Sequence, residues 1–295
     1  MASDLSLAIN GWRMHGLRTG VWRYLHNVVR HWTSEAAADF EAIRIYTPQP
    51  LDRDVDLPSN IETVVLRSRL PMIPWENMRL GPMARERVLF GPSHSIPLRP
   101  HDRTVVVIHD ALLRLHPERF PWQARLFHDH LYEWSGRNAT LVITDSEAAA
   151  RDIENVYGVS REKIRVVHLA PDEMFRGSAQ PRRDSPGTFT NLPQPYFLFV
   201  GKLSGRRDIP TLIVAFGEFL RRCSAPHHLV LAGKNVHSID LQDLMEQEGV
   251  TERVLLVESA SDLELRELYS SAELFVSPAV YETVSLPVLE AQAMG

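Results

Sequence analysis

Two glutamates near the end of the 295-residue chain, Glu282 and Glu290, have seven residues between them and bracket a segment that could bind an anion. The run Tyr281-Glu282-Thr283-Val284-Ser285-Leu286-Pro287-Val288-Leu289-Glu290-Ala291 follows an apolar stretch at 274–277 and Pro278, and it enters a helical pattern. Ser285 is a capping type, and Pro287 is tolerated in a first helical turn. Backbone N–H groups and the helix dipole would then point out of the carboxyl end of a strand, a geometry that binds phosphate. Glu282 in the loop and Glu290 about one turn inside the helix could grip hydroxyls beside that anion. The plainer reading of the same residues is a solvated loop charge at Glu282 and a dipole-favoured helix residue at Glu290.

Other chemistries find little support. The chain has no Gly-x-x-x-x-Gly-Lys-Ser/Thr, no Gly-x-Gly-x-x-Gly and no Gly-x-Ser-x-Gly. Asp52-Arg53-Asp54 has the look of an Asp-x-Asp metal clamp, but it follows Pro48-Gln49-Pro50 rather than a strand and reads as an exposed charged loop. His128-Asp129-His130 puts its imidazoles two residues apart, off a common helix face, so metal ligation is not expected there.

The elements that would position these residues alternate along the chain. Strands are predicted at 5–10, 42–46, 61–66, 104–108, 140–144 and 164–168, with helices at 21–32 and 122–137 and a further helix capped by Asp145 or Ser146. Residues 177–195 then collect Pro181, Pro186, Pro193 and Pro195 among polar residues and read as a linker. The rhythm restarts with strands at 196–200, 228–231, 254–257 and 274–277, and helices at 209–222, 241–247, 262–269 and from 286 onward. Such alternation implies parallel sheets covered on both faces. The expected fold is α/β, with two Rossmann-like domains at 1–180 and 196–295 joined by a hinge at 181–195. Ligands in such folds bind at strand carboxyl ends, and with two domains the cleft between them is the expected site.

Composition narrows the partners. Lys and Arg total 32 against 37 Asp and Glu, a net charge of −5, so a nucleic-acid partner is not expected. The single cysteine, Cys223, can form no intrachain disulfide, which suits a reducing cytoplasm. Residues 1–4 lack the features of a signal peptide, and no apolar run approaches the roughly 20 residues of a membrane helix. The stretch 67–87 mixes Leu70, Met72, Ile73, Trp75 and Met78 with several arginines. It reads first as an amphipathic helix and loop packed on the first sheet. The second reading is a surface that greets a lipid-linked acceptor at the inner face of a membrane.

Taken in order, these segments resemble the retaining glycosyltransferases of the two-Rossmann GT-B fold, family 4. Glu282 and Glu290 with Leu286-Pro287 and Ala291 resemble the family's Glu–seven residues–Glu signature. Gly201-Lys202-Leu203 and Arg206-Arg207-Asp208 are similar to its phosphate segment, and Leu229 to Lys234 to the strand that follows. Leu265–Tyr269 with Ala272-Glu273-Leu274 resembles the run before the signature, and His109-Asp110 after a strand resembles its strand-end His-Asp. Thr144-Asp145-Ser146 and residues 164–167 recur in like manner. Arg18-Thr19-Gly20-Val21-Trp22 resembles the glycine loop after the first strand.

The resemblance implies transfer of a sugar from a nucleoside diphosphate, with a lean toward GDP-mannose, to a glycan or lipid-linked saccharide. It implies that Lys202 and Arg207 hold the diphosphate, that Glu290 binds ribose hydroxyls, and that Glu282 and His109 contact the transferred sugar. Thr283, Val284 and Ser285 would add donor contacts, and Gly20 would let backbone approach the ligand. No metal or other cofactor is expected if Lys202, Arg207 and the helix N-terminus supply the positive charge. Three departures stand out. Thr283-Val284-Ser285 occupies the place of the family's Gly-Phe-Gly, so the loop must run differently, because positive φ is costly for Thr and Val. Arg207 stands where Lys is usual, and Trp22 where glycine is frequent. The sequence stops at Gly295, just inside the last motif, so the second domain is expected to be incomplete, marginally stable and to leave 274–277 near a sheet edge. The alternatives are a non-catalytic nucleotide-sugar-binding relative and a nucleotide-sugar epimerase on the same fold.

Overall fold

The computed structural model describes all residues except 1–4, 17–19, 34, 36, 53, 86, 101, 121, 123–124, 177–188, 190 and 236–239. The expected hinge at 181–195, residues Arg18 and Thr19 of the glycine loop, and Arg53 therefore fall wholly or partly outside the described residues. The chain divides into two compact units, Met1–His168 and Leu169–Gly295.

The first unit opens with β1 (Ser6–Asn10), α1 (Gly20–Arg30), β2 (Ala42–Thr47), β3 (Ile61–Val65), β4 (Val88–Gly91) and β5 (Thr104–Val107). It closes with α2 (His130–Asn138), β6 (Leu141–Thr144), α3 (Glu147–Tyr157) and β7 (Ile164–Val166). All seven strands are parallel, in the order β3-β2-β1-β4-β5-β6-β7. Leu7, Ala8 and Ile9 are buried in succession, and so are Val106 and Val107. Unbroken burial, in place of alternation, is what helices on both faces of a parallel sheet produce. The chain order reverses between β1 and β4, so their carboxyl ends open a crevice. Trp22, Leu25 and Val29 form the buried stripe of α1, at helical spacing.

Strand β4 was not predicted, because Val-Leu-Phe-Gly is too short a run to stand out between a helix and a turn. Within the helix expected at 122–137, Trp122 is helical, Arg125–Asp129 form a π-helical turn and α2 follows. The stretch 67–87 folds as three consecutive helical pieces, Met72–Trp75, Glu76–Leu80 and Gly81–Ala84. Trp75, Leu80 and Ala84 pack against Ala8, Tyr46 and Leu89 on the sheet, while Met78 and Met83 remain exposed.

The second unit contains β8 (Tyr196–Val200), α4 (Ile209–Cys223), β9 (His228–Ala232) and α5 (Leu241–Glu248). Then follow β10 (Val254–Val257), α6 (Asp262–Ser271), β11 (Leu274–Phe275) and α7 (Leu286–Met294). Its four parallel strands run in the order β10-β9-β8-β11. Strand β11 is shorter than predicted and lies at the edge, as expected, with Leu274 53% exposed. One apolar cluster joins Phe199, Leu229 and Leu231 to α4 and α5; a second joins Leu198 and Val230 to α6 and Met294 of α7. Ser261 and Glu264 close a capping box that fixes the start of α6.

Candidate functional site

In the second unit, two glycines bring strand ends together. Gly201 ends β8 at φ +147° and Gly233 ends β9 at φ +151°. A Cβ on Gly233 would lie 1.9 Å from the Gly201 carbonyl oxygen, so only glycine fits there. Gly201 N–H donates to Ala232 O at 2.9 Å, and Leu203 N–H donates to Lys234 O at 3.0 Å, which carries the pairing past both strands. The chain then makes a 3-10 turn, Gly205–Arg207, and enters α4 through Asp208 at φ +51°. Asp208 is the N-cap of α4 and Pro210 lies in its first turn, but Asp208 makes no side-chain capping bond.

From this turn the Arg207 guanidinium donates through Nη1 to Glu282 Oε1. The side chains are 17% and 14% exposed, so the pair is largely shielded from water. Burial lowers the Arg207 guanidinium below its ordinary value, the charge of Glu282 opposes the fall, and Arg206 adds to it. Lys202 lies exposed after β8.

Glu282, Thr283, Val284, Ser285 and Val288 line an open pocket of about 570 Å³ at the start of α7. Neither Thr283 nor Val284 has positive φ, so both residues sit in the loop without backbone strain. Ser285 stands at the N-cap with φ −111°, but its side chain makes no capping bond. The first-turn N–H groups of α7 are therefore not taken by the serine, contrary to the expected cap. Pro287 sits in that first turn as anticipated. Glu290 is 5% exposed and accepts from Tyr269 Oη of α6 at 2.8 Å. A carboxylate held by a phenol between two helices is a fixed acceptor, and its several lone pairs let it accept from a hydroxyl as well.

In the first unit, His109 follows β5 at its carboxyl end. Its Nδ1 lies 2.6 Å from Asp145 Oδ2 and its Nε2 lies 3.3 Å from Pro92 O. The Tyr24 ring meets it edge-on at 4.9 Å, and the His94 ring at 5.2 Å. Burial pulls the imidazole down, but the Asp145 hydrogen bond and charge, with Asp110 and the Pro92 carbonyl, outweigh it; the net direction is up. Gly20 is exposed at the first position of α1, and a Cβ there would meet nothing within 4 Å.

Arg207, Glu282, Thr283, Val284 and Ser285 thus meet at one place, with Glu290 anchored behind them; His109 and Gly20 belong to the first unit. Three contributors were not singled out from sequence. Gly233 was visible as the glycine closing a strand beside another strand closed by Gly201. Tyr269 and Asp145 carried no signal for these contacts, because their partners are 21 and 36 residues away. Among the described residues no group of three His, Cys, Asp or Glu side chains is placed to hold a metal ion. Among them, too, no helix is long and apolar enough to cross a membrane.

Residues 182–295 match the family described as Glycosyl transferases group 1, and residues 89–170 match a glycosyl transferase 4-like domain. O-antigen chain mannosyltransferase B of Escherichia coli is 26% identical over 217 residues, 72% of this chain and 56% of that protein. An uncharacterized glycosyltransferase of Methanocaldococcus jannaschii is 30% identical over 167 residues, 52% of this chain and 40% of that protein. The chain thus spans about half the length of these curated relatives. Among solved structures, a sucrose-phosphate synthase from Thermosynechococcus elongatus superposes with a TM-score of 0.72 at 18% identity, covering 99% of this chain and 79% of that one. HepE of Anabaena in complex with UDP-glucose superposes with a TM-score of 0.69 at 16% identity, covering 98% and 78%. These likenesses establish the GT-B arrangement of two parallel-sheet domains, the second smaller.

Proposed function

We propose that this chain, which belongs to the group 1 glycosyl transferases, moves a sugar from a nucleoside diphosphate to a glycan acceptor with retention of configuration. The observation that carries the reading is the meeting of Arg207, Glu282 and the first turn of α7, left uncapped by Ser285, around one open pocket. Cleaving a sugar–diphosphate bond leaves negative charge on the departing phosphate and positive charge on the sugar ring. Groups aimed in advance at those charges lower the barrier. In this reading Arg207, Lys202 and the α7 N–H groups receive the diphosphate. Glu282 and His109 take hydroxyls of the transferred sugar, and Glu290 takes the ribose. Thr283, Val284 and Ser285 wall the donor pocket, and Gly20 leaves room for ligand beside α1.

GDP-mannose is the first donor to test, because the curated relative is a mannosyltransferase; HepE holding UDP-glucose makes UDP-sugars the second. The acceptor is taken to be a saccharide, free or lipid-linked. Exposed Met78, Met83 and Leu98 stand beside Arg79, Arg85 and Arg99, and Leu98 N–H donates to Asn77 Oδ1 at 2.7 Å. We assign this face to contact with an anionic membrane surface carrying such an acceptor. Sedimentation with anionic liposomes, lost when these arginines are replaced, checks it.

The deciding experiment incubates the protein with a panel of nucleotide sugars and saccharide acceptors and analyses products by mass and anomeric configuration. Transfer with retention supports the reading; isomerised nucleotide sugar, or donor binding without turnover, overturns it. Transfer should persist in EDTA. Loss that Mg²⁺ or Mn²⁺ restores would show that a metal supplies part of the charge assigned to Lys202 and Arg207.

A further inference from the structure

Asp145 carries a buried carboxylate in the first unit. It follows β6 and precedes Ser146, the N-cap of α3, whose side chain accepts from Ala149 N–H. That place, at the positive end of a helix dipole, favours a negative charge. Asp145 is 3% exposed. Its Oδ2 engages His109 Nδ1, while Oδ1 is buried with no hydrogen bond among the described residues. A carboxylate with one buried oxygen unserved is costly, so the His109 contact must hold it in place.

The surroundings of His109 come from every neighbouring element. They are Tyr24 of α1, Pro92 and His94 after β4, Asp110 beside it, and Asp145 after β6. The short Nδ1 contact to Asp145 fixes the ring plane and decides which nitrogen can turn to a ligand. The longer Nε2 contact to the Pro92 carbonyl, at 3.3 Å, is the one that a sugar oxygen can replace at small cost.

We infer that Asp145 is the positioning residue for His109: it fixes the Nδ1 side of the ring, so that Nε2 is the atom presented to a hydroxyl of the transferred sugar. This inference rests on the sugar-transfer reading for its consequence in turnover, and on geometry alone for its effect on His109.

The test compares the intact wild-type protein with Asp145→Asn, which keeps an acceptor for Nδ1–H but removes the charge. Imidazole nitrogen NMR of the ligand-free protein should show the His109 midpoint falling by about 1 to 2 pH units, the size expected for losing a contacting opposite charge. In the transfer assay, kcat should fall about 10- to 100-fold above the wild-type midpoint and hardly at all well below the variant's own midpoint, since the protonated fraction drops tenfold per pH unit. Donor KM should change little. Asp145→Asn combined with His109→Ala should be no slower than His109→Ala alone. An unmoved His109 midpoint, or additive losses in the double variant, overturns the inference. A moved midpoint in a protein that transfers no sugar sustains the inference and overturns the functional reading instead.

Discussion

Replacing Glu282 by glutamine should make the protein bind a bare nucleoside diphosphate more tightly. In the ligand-free structure Glu282 occupies the guanidinium of Arg207, so a phosphate that takes Arg207 must first displace the carboxylate. Exposed ion pairs contribute about 0.2–1 kcal/mol, and hydrogen bonds to charged groups about 1.5–3 kcal/mol. At 17% and 14% side-chain exposure the pair lies between these limits, near ~1.5 kcal/mol after allowing for residual solvent screening. At about 1.4 kcal/mol per decade, relieving that competition lowers Kd about tenfold. Glutamine keeps the shape of the side chain but leaves the Arg207 charge without its counter-ion. The assay is titration calorimetry with the nucleoside diphosphate alone, at fixed ionic strength. The intact nucleotide sugar should gain less, because the carboxylate is also the acceptor for its hydroxyls, and turnover should fall. Equal or weaker diphosphate binding by Glu282→Gln would refute the competition, and with it the assignment of Arg207 to phosphate.

Other outcomes follow from single contacts. Burial pushes the Glu76 carboxyl up to about 7 from 4.5, against the hydrogen bond it receives from Asn10 Nδ2. The folded state therefore keeps a proton that the unfolded chain has released, and stability declines as pH rises from about 4.5 to 7, by about 3 kcal/mol in all. Glu76→Gln should flatten this decline in denaturant titrations, raising stability at about pH 8 but not at about pH 4.5; an unchanged slope contradicts it. Tyr269→Phe strips the donor from buried Glu290 and should lower stability by about 1–3 kcal/mol, with weaker donor binding by calorimetry; a variant as stable as wild type would show that Glu290 is held by another partner. Gly233→Ala forces a Cβ against the Gly201 carbonyl and should abolish donor binding. Unchanged calorimetric affinity would show that the strand ends do not shape the pocket.

The sequence disclosed much of this architecture because its parallel strands are short apolar runs, such as 104–107 and 196–200, set off by helical patterns. What escaped it was short or non-local. Strand β4 has four residues, and its place beside β1 follows from the crossover, not from its own composition. The pocket residues 282–285 were legible as a helix start after a strand. Arg207 was legible as a cation, but its pairing with Glu282 spans 75 residues of chain. Glu290 could be assigned a ribose from the motif, yet its burial against Tyr269 depends on how α6 and α7 pack. Ser285 met the local rule for a cap and still makes no capping bond, because capping also depends on how the preceding loop places the side chain.

The most direct test is a crystal structure of the protein with a nucleoside diphosphate bound. The pyrophosphate should lie at the first turn of α7, with Arg207 turned from Glu282 to a phosphate oxygen and Lys202 brought onto the same group. Nucleotide bound elsewhere, or Arg207 still joined to Glu282 beside it, would contradict the donor-site assignment.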